Sequence, residues 1–123
     1  MIQGVVSPRR EAVVRLRVRG PGGAESELEV IIDTGFTASL TLPVTTVNAL
    51  GLTRQSDGTA VLGDGSVCQF DVCAAEVEWG GNWRTLLVSV IGNQPLLGMR
   101  AMSGHKLVID VTPGGLVEIL PSP

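Results

Sequence analysis

The sequence predicts an all-β protein, either a closed barrel or a two-sheet sandwich, and three observations carry that expectation. The apolar content, 44% of 123 residues, is mostly Val, Leu and Ile, with aromatics at only 3% and 16 glycines beside 7 prolines. That mixture suits short strands and frequent turns better than a helical bundle. Several segments alternate apolar and polar residues with the period of a half-buried strand. Glycine-rich or Asp-Gly turn signals separate those segments at short intervals. The length suits one domain spanning residues 1–123, and no linker, low-complexity tract or repeat divides it. About seven or eight strands and one short helix result.

The first clear strand is EAVVRLRVR, Glu11 to Arg19. Val14, Leu16 and Val18 share one face, and Arg15, Arg17 and Arg19 share the other. GPGGA is a loop, and ESELEVII then runs from Glu25 to Ile32 with its glutamates on one face. Folding the two about Gly22 sets Arg19 against Glu25, Arg17 against Glu27 and Arg15 against Glu29. Leu16 then meets Leu28, and Val14 meets Val30. The two charge runs become one cross-strand ladder on a solvated face, which outweighs a basic patch between Arg9 and Arg19. Pro43 suits the first turn of a helix over VTTVNALGL and Gly51 suits its stop, with Val44, Val47 and Leu50 on one face. TAVLGDGSVCQFDVCAAEVEW reads as a strand, a tight turn at Asp64-Gly65 and a long strand. Trp79-Gly80-Gly81-Asn82-Trp83 is a second turn, whose tryptophans pack across the strands. RTLLVSVIG is a strand, and NQPLLGMRAMSG is a short apolar strand ending at Gly98, then one helical turn. KLVIDVTPGGLVEIL is a hairpin about Thr112 to Gly115.

Bulk properties exclude several functions. A formal net charge of −3 gives no reason to expect nucleic acid. No apolar run approaches the ~20 residues of a membrane span. The N-terminal MIQGVVSPRR carries its charges after the apolar part, so no signal peptide is expected and a cytoplasmic location is. Cys68 and Cys73 stand at an odd spacing, facing opposite sides of one strand, and are expected as reduced, partly buried thiols. Two cysteines and one histidine do not make the usual zinc site, so no metal and no cofactor are expected. His105, in Ser-Gly-His-Lys, reads as a solvated loop residue without a partner. Met99 and Met102 read as core or interface filler.

Three features stand in a definite order. VIIDTGFTASL drives a β-branched run, Val30 to Ile32, into Asp33-Thr34-Gly35. About thirty residues on comes a Gly-rich hairpin tip, Leu62-Gly63-Asp64-Gly65-Ser66. About thirty more bring Pro95-Leu96-Leu97-Gly98. This order resembles the retropepsin-like aspartic proteases, in which two apolar residues precede Asp-Thr/Ser-Gly, a flap hairpin follows, and two apolar residues and Gly precede a short helix. The resemblance covers Val13 to Val111, and the DTGF start is most similar to the bacterial single-domain branch. It implies a retropepsin-like closed β-barrel or sandwich, the acid protease fold, with one or two short helices, one lobe per chain and a flap at about residues 59–78.

The resemblance also implies the chemistry. Peptide hydrolysis needs an activated water and a proton donor, and two adjacent carboxylates sharing one proton supply both. The chain has one Asp-Thr-Gly, so the pair requires a C2 homodimer in which Asp33 meets its own copy. Thr34 is implied to hydrogen-bond across the dimer and Gly35 to offer its N–H beside the carboxylates. Phe36, the tip residues Leu62, Gly63, Asp64, Gly65 and Ser66, and Leu97 with Gly98 are implied to bound the substrate site. Asp64 taken alone is a turn former. The implied partner is an extended peptide or protein, cleaved between apolar residues at mildly acidic pH. The sequence departs from retroviral members after the loop, at Phe36-Thr37-Ala38-Ser39, and after Gly98, at Met99-Arg100. Two other readings stand beside the protease: a retropepsin-like dimerisation or peptide-binding module with little hydrolysis, and an unrelated β-barrel with Asp33 at an ordinary strand end.

Overall fold

The computed structural model describes residues 1–61 and 63–123. Leu62, one of the expected flap residues, lies outside the described residues. The described residues form ten strands and one α-helix: β1 (Ile2–Val6), β2 (Ala12–Arg19), β3 (Glu25–Ile32), β4 (Leu40–Leu42), α1 (Val44–Ala49), β5 (Arg54–Val61), β6 (Val67–Trp79), β7 (Asn82–Val90), β8 (Leu96–Leu97), β9 (His105–Ile109) and β10 (Leu116–Pro121). The all-β expectation holds. Two strands escaped the sequence reading: β1, and the three-residue β4.

Six strands close a ring in the order β2-β3-β8-β4-β7-β6, with β6 returning to β2 through Val18↔Val77 and Arg19↔Glu76. The barrel core is the inward face of those strands. Val14, Leu16, Val18, Val30, Leu40, Leu97, Val88 and Val77 are each essentially removed from solvent. Closure leaves no free edge within the ring. β5 hangs on the outside of β6, and β1, β10 and β9 extend from β2.

The β2–β3 hairpin has the expected register, from Val14↔Val30 to Arg19↔Glu25. The charge ladder is only partly as expected. Arg15 lies 3.5 Å from Glu29 and 3.7 Å from Glu27, but Arg17 turns to Glu78 and Arg19 to Glu76. The reason is β6, which flanks the far end of β2 and offers its own glutamates there. The Arg19 guanidinium, bonded through Nε and Nη2, holds the Glu76 carboxyl below its ordinary value and also lies 4.0 Å over the Trp83 ring.

The β6–β7 turn is a two-residue connection with both Gly80 and Gly81 left-handed, at φ 58° and 95°. That is the demand of a hairpin turn matched to strand twist. The β5–β6 tip differs. Among the described tip residues only Gly65 is left-handed, while Asp64 accepts bonds from the Ser66 N–H at 2.9 Å and the Ser66 hydroxyl at 2.6 Å. Those bonds hold the Asp64 carboxyl below its ordinary value. Residues 67–70 of β6 pair with β5 alone, so the hairpin projects beyond the barrel.

Helix α1 uses Pro43 as its N-cap and stops at Gly51, left-handed at φ 66°. Val47 and Leu50 are buried, but Val44 is 57% exposed. The expected single face fails because six residues at 100° each turn Val44 well away from Leu50. The helical turn expected after Gly98 is a run of turns, with the Met102, Ser103 and His105 N–H groups each bonding three residues back. Met102 packs in the core and Met99 is exposed.

His105 is also a correction. It opens β9 half-buried, and its Nε2 accepts the Trp79 indole N–H at 3.1 Å. Its Nδ1–H donates to the Ser103 carbonyl at 2.9 Å, so both ring nitrogens are satisfied in the neutral form. The cysteines are free thiols. Cys73 is buried, and burial raises its pKa above the ordinary thiol value. Among the described residues no helix is long and apolar enough to cross a membrane.

Candidate active site

Asp33 sits where β3 leaves the barrel, and its position is set by main-chain bonds to β8 and within its own turn. β8 lies between β3 and β4, parallel to the first and antiparallel to the second. The Ile31 N–H bonds the Pro95 carbonyl at 3.0 Å and the Asp33 N–H bonds the Leu97 carbonyl at 2.9 Å. The chain then turns. The Phe36 N–H returns to the Asp33 carbonyl at 3.1 Å, and the Gly35 N–H donates to Asp33 Oδ1 at 2.9 Å. No hydrogen bond to Oδ2 is formed by the described residues.

The rest of the loop is stitched to the segment after β8. The Gly98 N–H bonds the Ser39 carbonyl at 2.8 Å, the Met99 N–H the Phe36 carbonyl at 2.8 Å, and the Arg100 N–H the Ala38 carbonyl at 3.2 Å. Gly98 is required by space, not by its dihedrals. A Cβ there would stand 2.1 Å from the Ala38 carbonyl oxygen and 2.5 Å from Phe36 Cδ2. Leu97 is fully buried behind the loop. Thr41, buried between two leucines of β4, accepts the Leu96 N–H at 3.0 Å and donates to the Gln94 carbonyl at 3.4 Å. A hydroxyl in an otherwise apolar triplet was the only sequence sign of that role.

A cleft of about 410 Å³ opens beside Asp33. Asp33, Gly35 and Phe36 line it together with Thr41, Ser89 and Leu96. Ala60 and Phe70 come from the projecting hairpin, and Ile91 to Gln94 complete the wall. Asp33 is the one ionisable side chain among the described residues that line it. The lining is mostly apolar, the usual character of a site that takes a side chain and orients it with few polar groups.

Of the residues singled out in the sequence, Asp33, Gly35 and Phe36 come together at the cleft. Thr34 is exposed on the same turn. Gly98 and Leu97 support the loop from behind rather than lining the cleft. Gly63, Asp64, Gly65 and Ser66 are exposed at the hairpin tip, outside the cleft lining of a single chain. Ala60, Phe70, Asn93 and Gln94 were not anticipated. They come from separate elements, and only the closed ring brings them beside Asp33.

No protein-family model and no curated protein sequence matches this chain. A solved structure does: the EIAV protease complexed with the inhibitor HBY-793 superposes with a TM-score of 0.56 at 21% identity, over 74% of this chain and 84% of that one. At that identity the likeness defines the fold. The chain is a nearly all-β barrel of the retropepsin-like type.

Proposed function

We propose that this chain is an aspartic endopeptidase of the bacterial single-domain DTGF type, working as a C2 homodimer on extended peptides. The observation that carries the reading is the placement of Asp33. A lone carboxylate lines an otherwise apolar cleft, on a turn fixed by main-chain bonds to β8 and the segment after it. That rigidity is what positioned acid–base groups require. Two copies facing each other supply the pair that one chain lacks.

With one shared proton, the ionised carboxylate takes a proton from water as its oxygen attacks the scissile carbonyl carbon. The protonated partner gives its proton to the carbonyl oxygen. The tetrahedral intermediate then collapses, its C–N bond breaking as a proton passes to the leaving amine. In this reading Thr34 bonds across the axis, and the Gly35 N–H keeps Oδ1 in place. The β5–β6 hairpin, as a flap at about residues 59–78, lies over the peptide and adds to its backbone as a strand would.

The test compares wild type and Asp33→Asn on a peptide library from pH 4 to 7. Acid–base catalysis contributes about 10²–10⁴-fold, so the variant should lose at least about 100-fold in cleavage rate. Equal cleavage by both proteins removes the protease reading. One observation favours a second reading, that of a peptide-binding module. A single chain offers the cleft but only one carboxylate. Peptide binding by wild type without Asp33-dependent cleavage would select it.

A further inference from the structure

The cleft beside Asp33 has a floor with one unused polar group. Val72, Ser89, Thr41 and Leu96 stand side by side across β6, β7, β4 and β8. Their chain neighbours Cys73, Val88, Leu40 and Leu97 are buried in the barrel core, so this row lies on the opposite face of the sheet. It carries two hydroxyls. Thr41 uses its own on the Leu96 N–H and the Gln94 carbonyl. Ser89 is only 9% exposed, and among the described residues its hydroxyl has no partner. Nor is that hydroxyl sealed in, since the described residues hold no fully buried polar side-chain atom without a bond. It therefore opens to the cleft that Ser89 lines. Water can serve it there; an apolar side chain that displaced the water could not.

Phe70 keeps this floor open. Val72 stands opposite Ser89, so Phe70, two residues back on the same face, is the diagonal neighbour of Ser89, about 7–8 Å away. Its ring is long enough to cover Ser89, yet it leans the other way, over Gly58 of β5. A Cβ on Gly58 would stand 2.4 Å from Phe70 Cε1 and 2.5 Å from Cζ, so the ring has that seat only above a glycine. Phe36 is seated likewise on Gly98, where a Cβ would stand 2.5 Å from its Cδ2. These are the only two phenylalanines in the chain, and both line the cleft.

We infer that the cleft selects a tyrosine side chain of the bound peptide, with Ser89 accepting the phenol O–H and Phe70 packing against the ring. Ser89 and Phe70 are then specificity-determining residues. A cleft of about 410 Å³ is far larger than a serine or threonine side chain needs. Phenylalanine or leucine fills it but strips water from Ser89 and returns no bond. A lysine or glutamate carries its charge into a mostly apolar lining. Tyrosine brings a flat apolar body for the aromatic walls and one hydroxyl for the floor. The 123 residues include no tyrosine, so none of their own segments supplies that side chain. The inference rests on the peptide-site reading above and replaces its general apolar preference with one side chain.

The test uses the whole chain carrying Asp33→Asn, so that peptides are bound and not cleaved. Dye-labelled, alanine-rich octapeptides carry Tyr, Phe or Leu at one position, scanned along their length, and fluorescence anisotropy gives the affinities. At the preferred position Tyr should bind about 10-fold more tightly than Phe, and Phe more tightly than Leu. Ser89→Ala should bring the Tyr-to-Phe ratio to about one with Phe binding unchanged, which also shows that the variant is folded. Ser89→Cys, closest in shape and a much weaker hydrogen-bonding group, should do the same. Gly58→Ala should push the Phe70 ring off its seat towards Ser89 and weaken Tyr binding by about 10-fold. No binding by any peptide, Phe bound as tightly as Tyr at every position, a Tyr-to-Phe ratio unchanged in both Ser89 variants, or full Tyr binding by Gly58→Ala would overturn the inference. Cleavage of the same peptides by wild type and Asp33→Asn separates the two ideas. Tyr-selective binding without Asp33-dependent cleavage keeps the inference and removes the protease reading. Asp33-dependent cleavage without a Tyr preference does the reverse.

Discussion

Replacing Gly98 with alanine tests whether the Asp33 loop is held as described. The added Cβ would lie 2.1 Å from the Ala38 oxygen, where ordinary contact begins at 3.4 Å. One side must therefore move by roughly 1 Å, and the obstruction is backbone rather than the end of a flexible chain. Moving it strains the bonds from the Gly98, Met99 and Arg100 N–H groups to the loop. Overpacking a tight site costs about 1–3 kcal/mol, and each compromised main-chain bond about another 1 kcal/mol. A loss of about 3 kcal/mol is expected, or roughly 10 °C in Tm for a chain of this size. In the proposed protease reading, cleavage should fall by about 100-fold, because the carboxylate is displaced by a distance that matters to reacting atoms. Gly22→Ala is the control, since nothing lies within 4 Å of a Cβ there and its backbone is not left-handed. Urea and thermal unfolding of both variants, with cleavage assays, make the measurement. If Gly98→Ala unfolds with wild type and cleaves at the wild-type rate, the close approach of the two segments is wrong.

Other expectations follow from contacts away from the cleft. His105→Ala leaves the indole N–H of buried Trp79 without its acceptor, and should cost about 1–3 kcal/mol in urea unfolding with an altered tryptophan emission. Trp79→Phe in the same background should recover part of that loss. Glu76 is held below its ordinary carboxyl value, near 4.5, by Arg19. Its folded value being the lower one, the stabilisation is present above pH 4.5 and fades as pH falls through the folded value. Wild type should therefore unfold at higher urea than Glu76→Gln at pH 7, and the two midpoints should converge as the pH falls through the folded value of Glu76.

The β2–β3 hairpin was legible to the residue because its information is local: two alternating charge runs admit one register. The same locality failed Arg17 and Arg19, whose partners Glu78 and Glu76 come from a strand about sixty residues away. β4 escaped notice because Leu40-Thr41-Leu42 is too short to show a period and exists only where β7 and β8 pair with it. β1 was hidden by Gly4, which looks like a strand breaker but is demanded by the Val13 oxygen, 1.9 Å from where a Cβ would stand. Asp33-Thr34-Gly35 and Gly98 were visible as motifs, and the main-chain bonds between their two loops make physical sense of their spacing. The cleft wall was not visible, because Ala60, Phe70 and Gln94 share no local pattern.

The insertion of β8 between β3 and β4 has a consequence for the order of assembly. β3 and β4 follow each other along the chain yet never pair, since a segment made much later lies between them. The turn that carries Asp33 therefore has no main-chain bond outside itself, among the described residues, until Pro95 to Arg100 arrive. That closure joins distant parts of the sequence, and such contacts form late and slowly. A chain still emerging from the ribosome, or one locally opened at this seam, holds its carboxylate on an untethered turn. The candidate site takes its geometry only when the barrel is otherwise complete.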